Sequence, residues 1–486
     1  MTSLSLPSVN WRLAGAVAAC AVALPAMVLL AIEGQVRIPL AAAVAFPLLA
    51  LAAINIRLAI VAALVFLILL GDLRRALIPI AGWSGMDPLL LVGPAFAVII
   101  CGAAMGNGEL KLDTPLAKWA AVLTGWMALQ IFNPLQGGLP VGVAGVIFLM
   151  APLFWFWVGR AYGTTELMRR VMFGVVLPLG LAATAFGFYQ RFVGYLPYQM
   201  NWFWIAGYGG LGSPELGLAP ISFFASGTEH GAFVVTTGII LWAVFLRGNR
   251  AAILLIPPIL VGVILTGSRG PVVKVLAMMA VMWAVLGENR AAWVPRFALA
   301  TVLLGAGLVW SLGAATTVTT DAQVLNNLNR QSRFFAPPED ADESDHNPLM
   351  VHGSLLAYGY QELLHRPLGS GLGATSAAAT KFGGSSWSTE TDLGDVMIAT
   401  GIPGAIAYHA MIFFIALTSI RYWRRTRSTL ALTIIGLLGA HFLLWLGGGL
   451  YAVSAIVWFT IGVLDRLHRD LPPAVGAMPP PPVPVS

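Results

Sequence analysis

The segment LTGSRGP, Leu265 to Pro271, sets one guanidinium, Arg269, between two apolar runs. Arginine presents a planar fork of donors that matches the oxygens of a phosphate or diphosphate, and free N–H groups at the start of a helix favour the same kind of anion. Thr266, Gly267, Ser268 and Gly270 predict a very tight turn, and Pro271 at the start of the next helix costs no hydrogen bond there. Ser268 and Arg269 are therefore candidates for binding an oxyanion. A second set of groups suits proton transfer. In GTEHGAF, Glu229 and His230 stand where a polar stretch enters an apolar run; in SSWSTETDLGDVMIATGIPGAI, Glu390, Asp392 and Asp395 stand at an equivalent entry. Glu390, Asp392 or His230 would act as general base if an acceptor hydroxyl came within hydrogen-bond reach. Carboxylates in this position also cap helices, and that reading weighs most for Asp395, then for Asp392.

The elements that must position these groups are membrane spans. Of the 486 residues 58% are hydrophobic and only 10% charged, and the mean hydropathy is +0.82. The apolar residues fall in blocks at 13–32, 38–54, 58–71, 87–105, 117–132, 141–159, 170–187, 230–246, 251–267, 271–287, 295–313, 393–419, 428–446 and 449–464. Most of them match the length that crosses a bilayer as helix, which predicts an all-α polytopic integral membrane protein of about 14 helices. The first block follows the short polar start MTSLSLPSVNWR and reads as a retained span. Cys20 and Cys101 both fall in apolar blocks and support neither a disulfide framework nor a CxxC metal site. The net charge of +6 reflects basic loops rather than a nucleic-acid partner. PPEDADESDHNP reads as a solvated acidic segment, not a metal site, and PPAVGAMPPPPVPVS as an extended, disordered cytoplasmic tail.

The clusters ELMRR, RGNR, GENRAAWVPR and RYWRRTR all fall on one side if the N-terminus is cytoplasmic, so both termini are expected inside. Residues 1–313 then form an N-terminal bundle of about 11 helices. Residues 314–392 form a large outer loop in which LMVHGSLLAYGYQELLH has the spacing of an amphipathic helix, residues 393–466 return to the membrane, and 467–486 are the tail. The aromatic stretch 188–229 lies on or re-enters the outer surface. The basic residues that break the charge pattern become the informative ones: Arg37, Arg74 and Arg75 in GDLRRALIPIAGWSGMD, Arg191 in FYQRFVGY, Arg269, and Lys274 one turn into the next helix. A lone interfacial arginine is tolerated by snorkelling, which suffices for Arg37 and Arg191 as an alternative.

An LTGSRG turn, two helices, a large outer loop containing HRPLGSGLGATS, and a polar cluster leading into ATGIPGAI together resemble the bacterial O-antigen polymerase and O-antigen ligase superfamily. The early GDLRRALIPIAGWSGMDPLLL is similar to its exopolysaccharide polymerase branch. The resemblance runs from about residue 60 to about residue 420 and rests on short motifs in the right order. It implies a membrane glycosyltransferase of GT-C type, in the bacterial inner membrane, acting at the periplasmic face on a polyprenyl-diphosphate-linked oligosaccharide. The partners it implies are membrane lipid and the chain-length regulator and flippase of the same pathway, with no nucleotide sugar, cofactor or divalent metal. The motif arginine maps to Arg269, which the resemblance assigns to the carrier diphosphate. In the ligase branch a histidine is followed by Asn, Ser or Gln, then nine residues, then G-x-x-G; counting back from Gly401 and Gly404 puts Glu390 at that histidine. The departure favours a polymerase over a ligase that transfers glycan to lipid A core or protein. The ligases' second arginine is absent before Gly231, and Arg191, Arg74 or Arg75 are the candidates to replace it. A transporter or flippase would account for the helices equally well but predicts ionisable residues and broken helices near mid-bilayer.

Overall fold

The computed structural model describes residues 35–85, 87–207, 218–287, 290–299, 302, 348–376, 379–380, 382, 388–446 and 450–472; for Arg269, Arg290 and residues 348–352 it describes the backbone only. Among the described residues every regular element is helical. Apart from the short helix Ile78–Ala81 and isolated 3₁₀ turns, in chain order they are α1 (Arg37–Ile54), α2 (Ile56–Ala76), α3 (Leu89–Gly106), α4 (Pro115–Gln130) and α5 (Leu139–Tyr162). There follow α6 (Thr165–Phe192), α7 (Pro197–Ala206), α8 (Gly227–Leu246), α9 (Ile256–Leu265) and α10 (Arg269–Ala284). The last four are α11 (Pro348–His365), α12 (Asp392–Thr426), α13 (Thr429–Ala440) and α14 (Tyr451–Arg469).

Seven of these, α1, α2, α3, α5, α6, α8 and α12, are long and apolar enough to cross a membrane. They are apolar around most of their circumference, as helices are when lipid or other helices surround them and each must satisfy its own backbone. The expected block at 13–32, most of the one at 295–313, the acidic run and the proline-rich tail lie outside the described residues. Three expected spans form as shorter helices. The block at 251–267 opens with a 3₁₀ turn at Arg250–Leu254 and only then continues as the ten-residue α9. Its partner α10 has 16 residues, and α13 stops at Ala440 because the chain turns at His441. The amphipathic segment of the long loop is α11, which packs on α12.

Helix α8 lies at the centre, most of its residues buried, and α1 at the periphery, with few of its residues buried. The closest crossing joins α5 to α14. A Cβ at Gly462 would stand 2.0 Å from Phe156 O and one at Gly159 2.3 Å from Phe459 O, so the two backbones touch through glycines. Gly462→Leu is expected to prevent this crossing, since backbone rather than a movable side chain stands in its way, and to leave little monodisperse protein after detergent extraction and gel filtration. A wild-type elution profile would refute the packing.

Helix α12 breaks at Gly401, whose φ is +65°. Pro403 has no N–H to offer Ala399, and Ile402 turns its N–H to Pro367 O at 2.8 Å. The carbonyls so released are taken by the HRPLGSGLG loop: Ser370 N–H donates to Ile398 O at 2.8 Å and Gly371 N–H to Ala399 O at 3.1 Å. Trp126 Nε1 donates to Thr400 O at 2.6 Å. The glycines of this motif serve close approach: Gly369 and Gly371 have φ of +90° and +106°, and a Cβ at Gly373 would stand 2.3 Å from Val141 O.

Candidate functional site

The end of α2, α6 and α9 and the start of α3, α8, α10, α12 and α14 form one layer, tied together by hydrogen bonds and close contacts. Ser226 caps α8 by accepting from Glu229 N–H at 3.2 Å. The Glu229 carboxyl crosses to α14, where Oε1 accepts from Ala452 N–H at 2.8 Å, while Oε2 accepts from Ala225 N–H at 3.3 Å. His230 is 1% exposed, packs 6.0 Å from the Phe224 ring, and its Nδ1 has no hydrogen-bond partner among the described residues. A Cβ added at Gly187 would stand 2.9 Å from its Nε2. The next residue, Gly231, lies against the arginine turn, because a Cβ there would stand 3.3 Å from Pro271 and 3.4 Å from Thr266. GTEHG and TGSRG, roughly 40 residues apart in sequence, are thus neighbours.

The turn itself has the expected form. Gly267 has φ of +70°, Thr266 Oγ1 donates to Val263 O at 2.7 Å and accepts from Ser268 N–H at 3.4 Å, and Ser268 is the extended residue before α10. The backbone places Arg269 in the first turn of α10; its side chain lies outside the described residues. Lys274, one turn on, is half-buried within Coulomb reach of Asp392 and of His441. His441 Nε2 meets Thr236 Oγ1 at 2.7 Å. His441 and Thr236, unlike Lys274, stand out only once the helices are packed.

The three carboxylates of the second entry separate by environment. Asp392 is buried, with its N–H on Leu443 O at 2.9 Å and its Oδ2 accepting from Leu446 N–H at 2.7 Å and from the Tyr408 hydroxyl at 3.4 Å. It holds the start of α12 to the turn after α13. Asp395 accepts from Thr389 N–H at 2.7 Å and from Ser388 Oγ at 3.1 Å, closing the approach to the helix, whose cap is Thr391. Glu390 is exposed and carries a φ of +59°, unusual for a residue with a Cβ, with its N–H on Ser388 Oγ at 3.2 Å. Of the three, Glu390 is the one that faces outward.

The early arginines have other engagements. Arg37 and Arg74 converge on Asp87: Arg37 Nη1 pairs with Oδ2, and Arg74 Nε reaches the same oxygen at 3.0 Å. Arg37 also donates to Gly82 O, and Arg74 to Ser84 O at 3.1 Å while its guanidinium lies 4.7 Å over Trp83. Arg75, 1% exposed, donates to Phe224 O, approaches Asp72 Oδ1 at 3.7 Å and lies 4.4 Å over Trp202. Asp72 in turn accepts from the Tyr198 hydroxyl at 2.7 Å and from Gln199 Nε2 at 2.8 Å, which seats α7 on the end of α2. Burial first, and then the Asp72 carboxylate, push the Tyr198 phenol up, so it stays a donor. Arg191 is half-buried in the last turn of α6, 6.0 Å from the Phe192 ring. Arg74 and Arg75 therefore hold α2 to α3, α7 and the chain before α8. Charge spacing alone does not single out Asp87 as the partner of Arg37 and Arg74. The D-P pair before an apolar run does mark a helix start, and Asp87 Oδ1 accepts from Leu89 N–H at 3.1 Å.

An apolar cavity of about 480 Å³ lies between α10, α12 and α13, lined among others by Met278, Val281, Val285, Ile412, Phe442 and Trp445. Lys274, Met278, Val281 and Val285 follow one another on one face of α10, so the cavity begins one turn below the lysine. Phe442 follows His441 directly. No family model matches the chain, and no curated protein matches it either.

Proposed function

We propose that the chain is a polysaccharide polymerase that joins polyprenyl-diphosphate-linked oligosaccharide repeat units at the periplasmic face of the bacterial inner membrane. The observation that carries the reading is the contact of the TGSRG turn with Gly231, the neighbour of His230, at the head of α10, a helix that runs on into an apolar cavity shared with α12 and α13. A carrier lipid needs a cationic seat for its diphosphate and an apolar channel for its isoprenoid chain, and this end of the molecule offers both in register. In the reaction the acceptor hydroxyl attacks the sugar C1, the C1–O bond to diphosphate breaks, and the acceptor proton passes to a base. Arg269 and the first turn of α10 stabilise the charge on the departing diphosphate, and Lys274 and Arg191 are further candidate cations on this side. Glu390, exposed at the entry to α12, is the base favoured by its position; Asp392 and His230 are the alternatives. Arg74 and Arg75 act as positioning residues, because their guanidinium groups are held by Asp87, Asp72 and Phe224 O. About 14 spans, a GT-C type bundle, a periplasmic loop over 314–392 and cytoplasmic termini belong to the same proposal.

The break in α12 is the feature a transporter would also carry. Its released carbonyls already accept from Ser370, Gly371 and Trp126, an arrangement that suits a fixed structural break better than a site for a transported ion. Deleting the gene and analysing surface and carrier-linked glycan separates the readings. Single repeat units left on carrier or lipid support the polymerase. Long chains kept on the carrier without transfer point instead to a ligase, and repeat units trapped on the cytoplasmic side to a flippase. Glu390→Gln is expected to shorten the polymer sharply, and full-length polymer from that variant would remove Glu390 as the base.

A further inference from the structure

At the opposite end of the bundle the structure holds a second concave site with different chemistry. A cavity of about 560 Å³ lies between the start of α2, the chain after α3, the end of α5 and the end of α14. Four cations line it, Arg57, Lys111, Arg466 and Arg469, against one carboxylate, Glu109. Two of the cations are internally paired: Arg469 reaches Asp113 at 3.4 Å and Asp470 at 2.8 Å, and Arg466 reaches Asp470 at 3.7 Å and donates to Ala161 O. Arg57 and Lys111 are exposed, and neither is paired with a carboxylate among the described residues. The backbone that carries Lys111 is nevertheless fixed. Buried Arg160 donates to Lys111 O at 3.0 Å through Nε and pairs with Asp113 and Asp465, while Thr114 Oγ1 donates to Asp465 at 2.8 Å. The site is thus built on a closed ion network, with two unpaired cations at its rim.

The surroundings indicate what an anion at this rim would be attached to. Ile54, Leu58 and Leu112 flank Arg57 and Lys111 in sequence and are all exposed, Ile54 to 83%. Cations at a helix end with exposed aliphatic side chains beside them match a phosphate head joined to acyl chains. The volume is also of the size that holds a bound molecule rather than a single water. We propose that this cavity binds the headgroup phosphate of an anionic phospholipid, with Arg57 and Lys111 on the phosphate and Ile54, Leu58 and Leu112 against the chains. The site is separate from the one assigned to the carrier lipid, and it stands whether or not that assignment holds.

The test uses the full chain in detergent, titrated with phosphatidylglycerol or phosphatidylcholine and read by native mass spectrometry. Phosphatidylglycerol is expected to bind at least about tenfold more tightly than phosphatidylcholine, and Arg57→Ala with Lys111→Ala to erase that preference. Arg57→Lys with Lys111→Arg should keep it, which separates loss of charge from loss of fold. Glu109→Gln should strengthen it. An unchanged preference in the alanine pair would overturn the site. Binding of millimolar inorganic phosphate to these cations with no preference for phosphatidylglycerol over phosphatidylcholine would overturn the lipid and assign the same cations to free phosphate.

Discussion

Asp87→Ala is expected to destabilise the bundle by about 3–5 kcal/mol, the cost of leaving buried charge without its partner. Arg37 and Arg74 both rest on that one carboxylate, and all three side chains are buried. An exposed ion pair of the same length would contribute only about 0–1 kcal/mol, so burial decides the magnitude. Asp87 also receives Leu89 N–H, and its loss frees the start of α3 together with the chain from α2. The measurement is a thermal unfolding curve in detergent, followed by intrinsic tryptophan fluorescence, with Trp83 over Arg74 as a local reporter. Asp87→Asn, which keeps the shape and one acceptor, should lose less than alanine. A melting temperature for Asp87→Ala equal to wild type would mean that the two arginines find another anion.

Arg269→Ala is expected to reduce polymer formation by about 10²–10³-fold, the range seen when one fixed donor to a developing oxyanion is removed. Arg269→Lys retains the charge but not the bidentate fork, and should fall between alanine and wild type. The readout is glycan chain length in a deletion strain complemented with each variant at matched protein level. Full-length polymer from Arg269→Lys would remove the argument for bidentate binding of a diphosphate, and full activity in the alanine variant would remove the site. The two experiments diverge in kind. Asp87 should change melting with any remaining activity in proportion to folded protein, whereas Arg269, at the first turn of α10, should change activity without melting.

The two arginine motifs look alike in sequence and separate in the structure. Arg74 and Arg75 break the charge pattern of the loops as Arg269 does, and by residue type all three qualify as oxyanion ligands. The bundle closes Asp87 and Asp72 onto the first two, and places Gly231 and Pro271 around the turn of the third. The same holds for the carboxylates. Asp392 and Asp395 fix the entry to the helix, while Glu390 is left exposed one residue outside the cap at Thr391. Neither distinction follows from residue type alone: Asp72, Asp87 and Thr389 lie near in sequence to the groups they engage, but only the packed bundle turns them onto those groups and adds Phe224, Trp202 and Leu446 from distant segments.

What the sequence determined by itself is local: runs of apolar residues set helices and their rough ends, glycine and proline set the turn at 266–268, and Pro348–His365 shows its helical period directly, whereas the break at Gly401 inside the block 393–419 emerged only in the structure. These properties depend on residues within a few turns of one another. Only the tertiary structure decided which polar groups are partners, since a buried charge is defined by what surrounds it. It placed Lys274 beside Asp392 and His441, pinned Glu229 to Ala452, and gathered Arg57 and Lys111 at the far end of the bundle. In a chain with so few charges, each pairing removes a group from those free to meet a ligand, and that subtraction requires the packed molecule.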